Sequence, residues 1–118
     1  MTRQNLDSAV QIPANPHTLF NPTYAAVTGT GVVFTNTGRE VLEIINGATA
    51  SNYTINIGTT VLGQAVTPFG PTALPTNNTT SQRLGPFPTL YNQPDGTIQI
   101  DLSSVATVTA ALVRMPGV

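Results

Sequence analysis

The chain has 118 residues, of which only 8% are charged, with no cysteine and a formal net charge of -1. That size suits one domain, and the missing cysteine excludes disulfides, thiol catalysis and thiolate metal sites. Four cations, all arginine, are too few for the basic footprint of a nucleic-acid binder or a polybasic membrane-surface protein.

Polarity comes instead from Thr, Asn, Ser and Gln. Such a surface is soluble without strong self-repulsion and suits chains packed against many copies of a neighbour. No apolar run approaches the ~18 residues of a transmembrane helix. Met1–Asp7 is followed by no signal-peptide core, so the expectation is a chain made in a cytosol and used or assembled there.

Residues 1–8 are polar and expected to be mobile unless a partner holds them. Ala9–Ile12 reads as a short strand closed by Pro13. Pro16 and Pro22 follow, and prolines at this density exclude a helix or a central strand. Residues 1–24 therefore read as an extended N-terminal arm, and residues 25–118 as the folded domain. Leu19, Phe20 and Tyr24 are its expected anchors, either on its own core or across a neighbouring subunit.

The first firm strand is Val32–Thr35, and Asn36–Arg39 is turn chemistry. Glu40–Ile45 follows, with Leu42 and Ile44 facing the core and Glu43 on a reverse face too apolar to be fully wet. Asn46–Gly47 opens a loop. Asn52–Ile57 alternates, placing Tyr53, Ile55 and Ile57 inward. Val61–Leu62 and Ala65–Val66 are weak strands split by Gly63. Residues 67–80, rich in Pro, Gly, Asn and Thr, read as the longest loop. Val105–Val113 is β-branched and uncapped, which favours a final strand over a helix.

Between the loop and that strand lies the most informative stretch. Gly85–Pro88 lacks two amide donors, so it reads as a polyproline-like crossing between sheets, with Phe87 as a core plug. Tyr91 and Asn92 are placed to satisfy local backbone groups after the bend. Pro94–Gly96 reads as a hairpin turn. In Thr97–Leu102, Ile98, Ile100 and Leu102 face the core. The pattern as a whole predicts an all-β chain: a compact antiparallel β-sandwich, jelly-roll-like or a small barrel, with an extended N-terminal arm.

Two groups of residues carry a family resemblance. One is Gly85-Pro86-Phe87-Pro88, Tyr91-Asn92 and Asp95-Gly96-Thr97; the other is the Asn36-Thr37-Gly38-Arg39 turn with Val41-Leu42-Glu43-Ile44-Ile45-Asn46. In this order the chain resembles small virion proteins of tailed bacteriophages, of the head decoration (capsid cement) type. The likeness covers roughly the last two-thirds of the chain and leaves the first 30 residues outside it. It implies a non-enzymatic protein, often a trimer, on the outer surface of the capsid, made in the host cytoplasm and bound to the major capsid protein lattice.

The residues themselves offer little catalytic chemistry. His17 is the single histidine and sits in the proline-rich arm, with no nucleophile elbow near any serine. Glu40, Glu43, Asp95 and Asp101 form no recognisable glycosidase pair or calcium loop. Asp95 is expected to serve its turn, and Asp101 to meet an arginine or solvent. No cofactor is implied. The glycosylation sequons at Asn52, Asn77 and Asn78 arise easily in a Thr/Asn-rich chain and are discounted.

The candidate capsid or subunit interface is therefore the arm and its cations: Arg3, Gln4, Leu6, Val10, Ile12, Leu19, Phe20 and Arg39. Arg83 and Arg114 read as surface charges. The alternative is a carbohydrate-binding or adhesin-like sandwich using Tyr24, Tyr53 or Tyr91 as a sugar platform.

Overall fold

In the computed structural model, residues 3–12, 22–58, 60–61, 64–65, 68–74 and 76–114 are described. The fold grows from Thr97–Leu102, whose strict alternation buries Ile98, Ile100 and Leu102 on one face. Numbered in chain order, the strands are β1 (Gln4–Asn5), β2 (Ala25–Ala26), β3 (Gly31–Thr35), β4 (Glu40–Asn46), β5 (Ser51–Asn56) and β6 (Thr60–Val61). Then come β7 (Gln64–Ala65), β8 (Phe69–Leu74), β9 (Asn77–Leu84), β10 (Thr97–Leu102) and β11 (Val108–Arg114).

Two sheets face each other. One runs β1-β3-β10-β5-β8 and the other β2-β11-β4-β9, while β6 and β7 form a small hairpin of their own. β1 pairs parallel with β3, and the other strand pairs are antiparallel. From β1 to β5, and again from β8 to β11, each strand lies in the opposite sheet from its predecessor. This is the jelly-roll-like winding expected, rather than an up-and-down meander.

The core lies between the sheets. Val32, Phe34, Ile55, Ile98 and Ile100 come from one sheet; Leu42, Ile44, Val108 and Leu112 come from the other. The reverse face of β4 and β11 is indeed not wet: Glu43, Ala111 and Val113 are buried there, and Val41 and Ile45 half-buried.

The crossing at residues 85–88 behaves as its prolines require. β9 ends in one sheet, β10 begins in the other, and Phe87 plugs the gap with its ring centroid 5.7 Å from that of Phe34. The turn before β10 closes through Gly96 N donating to Gln93 O at 2.8 Å and Gln93 N donating to Thr97 O at 2.8 Å. It does not make a hairpin of neighbouring strands, because β10 lies between β3 and β5. The preceding residues Thr89–Tyr91 form a 3-10 turn instead.

Two expectations are corrected. Residues 67–80 contain β8 and β9 rather than one long loop. Both are edge strands, where proline and polar residues are tolerated because one side of the backbone is unpaired. The second concerns the N-terminal arm. Its residues 3–12 are a strap on the sandwich, and residues 13–21, with Leu19 and Phe20, lie outside the described residues. Asp7–Ala9 is a 3-10 turn, not the start of a strand, and Gln11 alone pairs with Val113.

The strap is held because one apolar residue in it reaches the core. Leu6 is 8% exposed and packs in the main cluster, while its amide donates to Val33 O at 2.9 Å. β1 thus closes the open edge of β3, and Gln11 crosses to the other sheet. Truncating Leu6→Ala is expected to lower unfolding free energy by about 2–4 kcal/mol in urea titration. A free arm would show no change.

Candidate docking face and the strap that frames it

The outer face of the five-stranded sheet is set by the same alternation that fills the core. Val33 and Thr35 of β3, Thr97, Gln99 and Asp101 of β10, and Thr54 and Asn56 of β5 share it through the strand register. All are half-buried or exposed. Its own side chains are hydroxyls and amides with Val33 and one carboxylate, Asp101, and the carboxylates of Asp7 and Asp95 reach its Thr35 and Thr97.

The Asp101 carboxylate is neutralised within the face. Arg3 grips Asp101 with both ends of its fork, Nε to Oδ1 at 2.5 Å and Nη2 to Oδ2 at 3.0 Å. Asn56 Nδ2 adds a third bond to Oδ2 at 2.7 Å. The arginine's hydrogen bonds hold the Asp101 carboxyl below its ordinary value; partial burial opposes them and Asn56 assists. Arg3 was expected to pair with a partner, but its planar fork is occupied at home. With both side chains about a third exposed, the pair is worth only about 0–1 kcal/mol, so it fixes geometry more than stability.

Further bonds seat the strap beside this face. Thr35 donates its amide and hydroxyl to Asp7 Oδ1 and Oδ2 at 2.7 and 2.8 Å. Gln4 Oε1 accepts from Thr28 N at 3.1 Å. Gln11 uses its side-chain amide like a peptide group: Nε2 donates to Thr23 O and Oε1 accepts from Thr23 N, each at 2.8 Å. Beneath the strap an open slot of about 60 Å³ touches Leu6, Gln11, Val27 and Leu112. Drug-sized ligands need roughly 300 Å³ or more.

The expected interface residues thus separate. Leu6 is core and Val10 packs against it; Arg3 and Gln4 bond within the chain. Neither Leu6 nor Val10 is free to insert into a partner. Ile12 is 57% exposed and Arg39 is exposed, and both remain available. Tyr24 docks at home, its hydroxyl donating to Glu43 Oε1 at 3.0 Å. Arg83 lies 3.6 Å from the same carboxylate, across the β4–β9 register.

The residues that carry the family resemblance meet at one corner. Asn36 Nδ2 donates to Phe87 O at 3.0 Å and to Asn92 Oδ1 at 2.7 Å. Beside Tyr91 and Asn92, which are expected to serve local backbone groups, Asn36 also does so through its bond to Phe87 O. Thr37 N and Oγ1 donate to the two oxygens of Glu40 at 2.6 and 2.7 Å, and Arg114 Nε donates to Oε2. Arg114 is therefore an internal partner rather than a solvated charge. Burial pushes the Glu40 carboxyl up, but the bonds from Arg114 and Thr37 outweigh it and hold it below its ordinary value. Asp95 serves its turn as expected, accepting from Thr97 Oγ1 at 2.6 Å, and is also held low, mainly by that bond.

Among the described residues no group of three or more His, Cys, Asp or Glu could hold a metal ion. No described helix is long and apolar enough to cross a membrane. Searches of protein-family models, curated proteins and solved structures find no match to the chain.

Glu40 and Asp101 make stability pH-dependent in a defined direction. A carboxyl whose folded pKa lies below its unfolded value of about 4 adds stability above that value. The contribution is lost as pH falls through the folded pKa. The urea midpoint is expected to hold above about pH 5 and to fall toward pH 2. Glu40→Gln should cost about 3 kcal/mol at neutral pH and flatten that acid limb. An acid limb as steep as that of the parent protein would remove Glu40 from this role.

Proposed function

We propose that the protein is a non-enzymatic virion component that docks on an assembled bacteriophage capsid and reinforces it. The observation that carries this reading is the outer face around Gln99. It is broad and rich in hydrogen-bonding groups, with the Asp101 carboxylate internally satisfied by Arg3 and Asn56 and the carboxylates of Asp7 and Asp95 bonded to its threonines. Such a face can meet a neighbour with its Asp101 charge already paired. The residues that resemble capsid cement proteins support the reading through the fold, since they build one corner of the sandwich.

Reinforcement follows from mass action. A protein that binds only the assembled lattice lowers the free energy of that lattice relative to free subunits. Among the described arm residues, Ile12 supports a tether, with its apolar side chain exposed at the end of the strap; Leu19 and Phe20 stay candidates outside the described residues. Removing the first 20 residues would not test the tether cleanly, because it would also remove Leu6 from the core. The sugar-platform reading gains no support from the tyrosines. All three are half-buried; Tyr53 and Tyr91 pack on the core, and Tyr24 bonds Glu43.

Co-sedimentation with purified capsids tests the proposal. Saturable pelleting with assembled shells, absent with free capsid subunits, is the expected result. Gln99→Arg and Ile12→Asp should each weaken it at least tenfold at unchanged melting temperature. Pelleting at parental affinity by both variants would remove this face and this tether, and no pelleting by the parent protein would remove the capsid reading.

A further inference from the structure

One end of the sandwich collects exposed apolar groups that the rest of the fold hides. β3 and β9 finish there, β4 and β10 start there, and the loops between them interlock. Asn36 N donates to Gly96 O at 3.0 Å, Asn36 Nδ2 reaches Phe87 O and Asn92 Oδ1, and a Cβ on Gly85 would lie 2.7 Å from Glu40 O. Both exposed large hydrophobics among the described residues come to this end. Leu90, 41% exposed, rides on the turn after the crossing, with Pro86, Pro88 and Pro94 exposed before and after it in the chain. Ile12 follows Gln11, whose carbonyl accepts from the N–H of Arg114, the partner of Glu40.

The same end holds a cation and an anion that the chain does not use. Arg3 pairs with Asp101, Arg83 with Glu43 and Arg114 with Glu40, whereas the exposed Arg39 has no ion-pair partner among the described residues. Asp95 meets no cation either. Both of its bonds from Thr97 go to Oδ1, which leaves Oδ2 for another donor. Asp7 lies nearby through Thr35, the register partner of Thr97, but Thr35 occupies both of its oxygens. Arg39 and Asp95 thus stand on two turns joined by the Asn36–Gly96 bond without pairing with each other. We infer that this end of the sandwich is a self-association surface, where two copies of the chain meet about a two-fold axis. Arg39 of each copy faces Asp95 of the other, and Leu90 with its flanking prolines is buried between them.

The occupant is a second copy because this surface carries both halves of its own complement. A two-fold axis sets residue i against j and j against i, so one cation and one anion on neighbouring turns make two ion pairs across it. A partner of a single charge sign would oppose one of the two with a like charge. Exposed ion pairs are individually weak, so they set the register, while Leu90 and the prolines supply the apolar contact. Proline brings no N–H to desolvate, and turns already held by Asn36, Thr37 and Asp95 have little freedom left to lose on association. The inference does not rest on capsid binding, and it commits to two copies rather than the three that the family resemblance implies.

The test is the mass in solution of the full chain and of Arg39→Asp, Leu90→Asp and Asp95→Arg, with folding checked by circular dichroism and thermal melting. By sedimentation equilibrium the parent chain should weigh twice its 12.3 kDa at micromolar concentration. Arg39→Asp and Leu90→Asp change exposed side chains and should each weigh 12.3 kDa; either one, once folded, decides the question. Asp95→Arg should also be monomeric. Mixed in equal amounts with Arg39→Asp it should recover the doubled mass, because both ion pairs are rebuilt with their signs exchanged. Gln99→Lys, on the outer face of the five-stranded sheet, should leave the dimer intact. A parent mass of one copy or of three overturns the inference. So does a dimer that folded Arg39→Asp or Leu90→Asp leaves unchanged, or a mixture of the two folded charge variants that stays monomeric. A monomeric parent whose capsid pelleting Arg39→Asp abolishes would assign this end to the capsid and equally overturn self-association.

Discussion

Glu40 is a carboxylate with no solvent exposure, and much of this structure is arranged to make that tolerable. A buried charge needs a counter-charge and a full set of hydrogen-bond donors, or it stays neutral or the site floods. Here the donors come from the turn before β4 and the counter-charge from the end of β11. The backbone of the crossing segment comes close as well. Gly85 sits at φ +110°, and a Cβ there would lie 2.7 Å from Glu40 O. The Glu40 side chain therefore ties the turn to the last strand, and its backbone carbonyl lies against the crossing between the sheets. Breaking it leaves the half-buried Arg114 without its acceptor, which is why its removal costs more than its formation contributes.

The two flanks of the sandwich solve the edge problem in opposite ways. On one flank a short strap covers β3 and β11, using one leucine for adhesion and polar side chains for register. On the other, β8 carries proline, and β9 breaks its register with β4 between Gln82 and Asn77. The charge distribution follows the same division. Ionic groups hold the strap and the Glu40 corner, while the flank of β8 and β9 has Arg83 with its partner Glu43. Between the flanks, the outer face of β10 is polar but internally balanced, so each surface of the molecule has a distinct electrostatic character.

The strands that make the core were legible because alternation is a local signal. β10, β4 and β5 announce themselves in period two, and Phe87 is marked by the prolines on either side. What escaped was which groups meet at long range: that Asp101 could find an arginine was legible, but not which one. Arg3 meets Asp101 across 98 residues, and Arg114 meets Glu40 across 74. No spacing rule reaches that far. β8 and β9 were hidden for a different reason: an edge strand accepts the Pro, Gly, Asn and Thr that also make loops. Leu6 was the one clue to the strap, a single apolar residue in a polar segment, and two-residue strands are too short to show a period.

The bonds between Gln11 and Thr23 have a consequence for how this scaffold tolerates change. A side-chain amide that imitates a peptide group fixes the distance between two points of the chain regardless of what lies between them. Gln11 is itself locked to β11 by its own backbone, its amide donating to Leu112 O and its carbonyl accepting from Arg114 N, both at 2.9 Å. The two ends of residues 12–22 are thereby mechanically grounded in the sandwich. Lengthening a loop whose ends are already fixed costs little, since closure entropy grows only logarithmically with length. The anchoring of Gln11 and Thr23 thus does not depend on the residues between them, and a change of length there is expected to leave both ends in place.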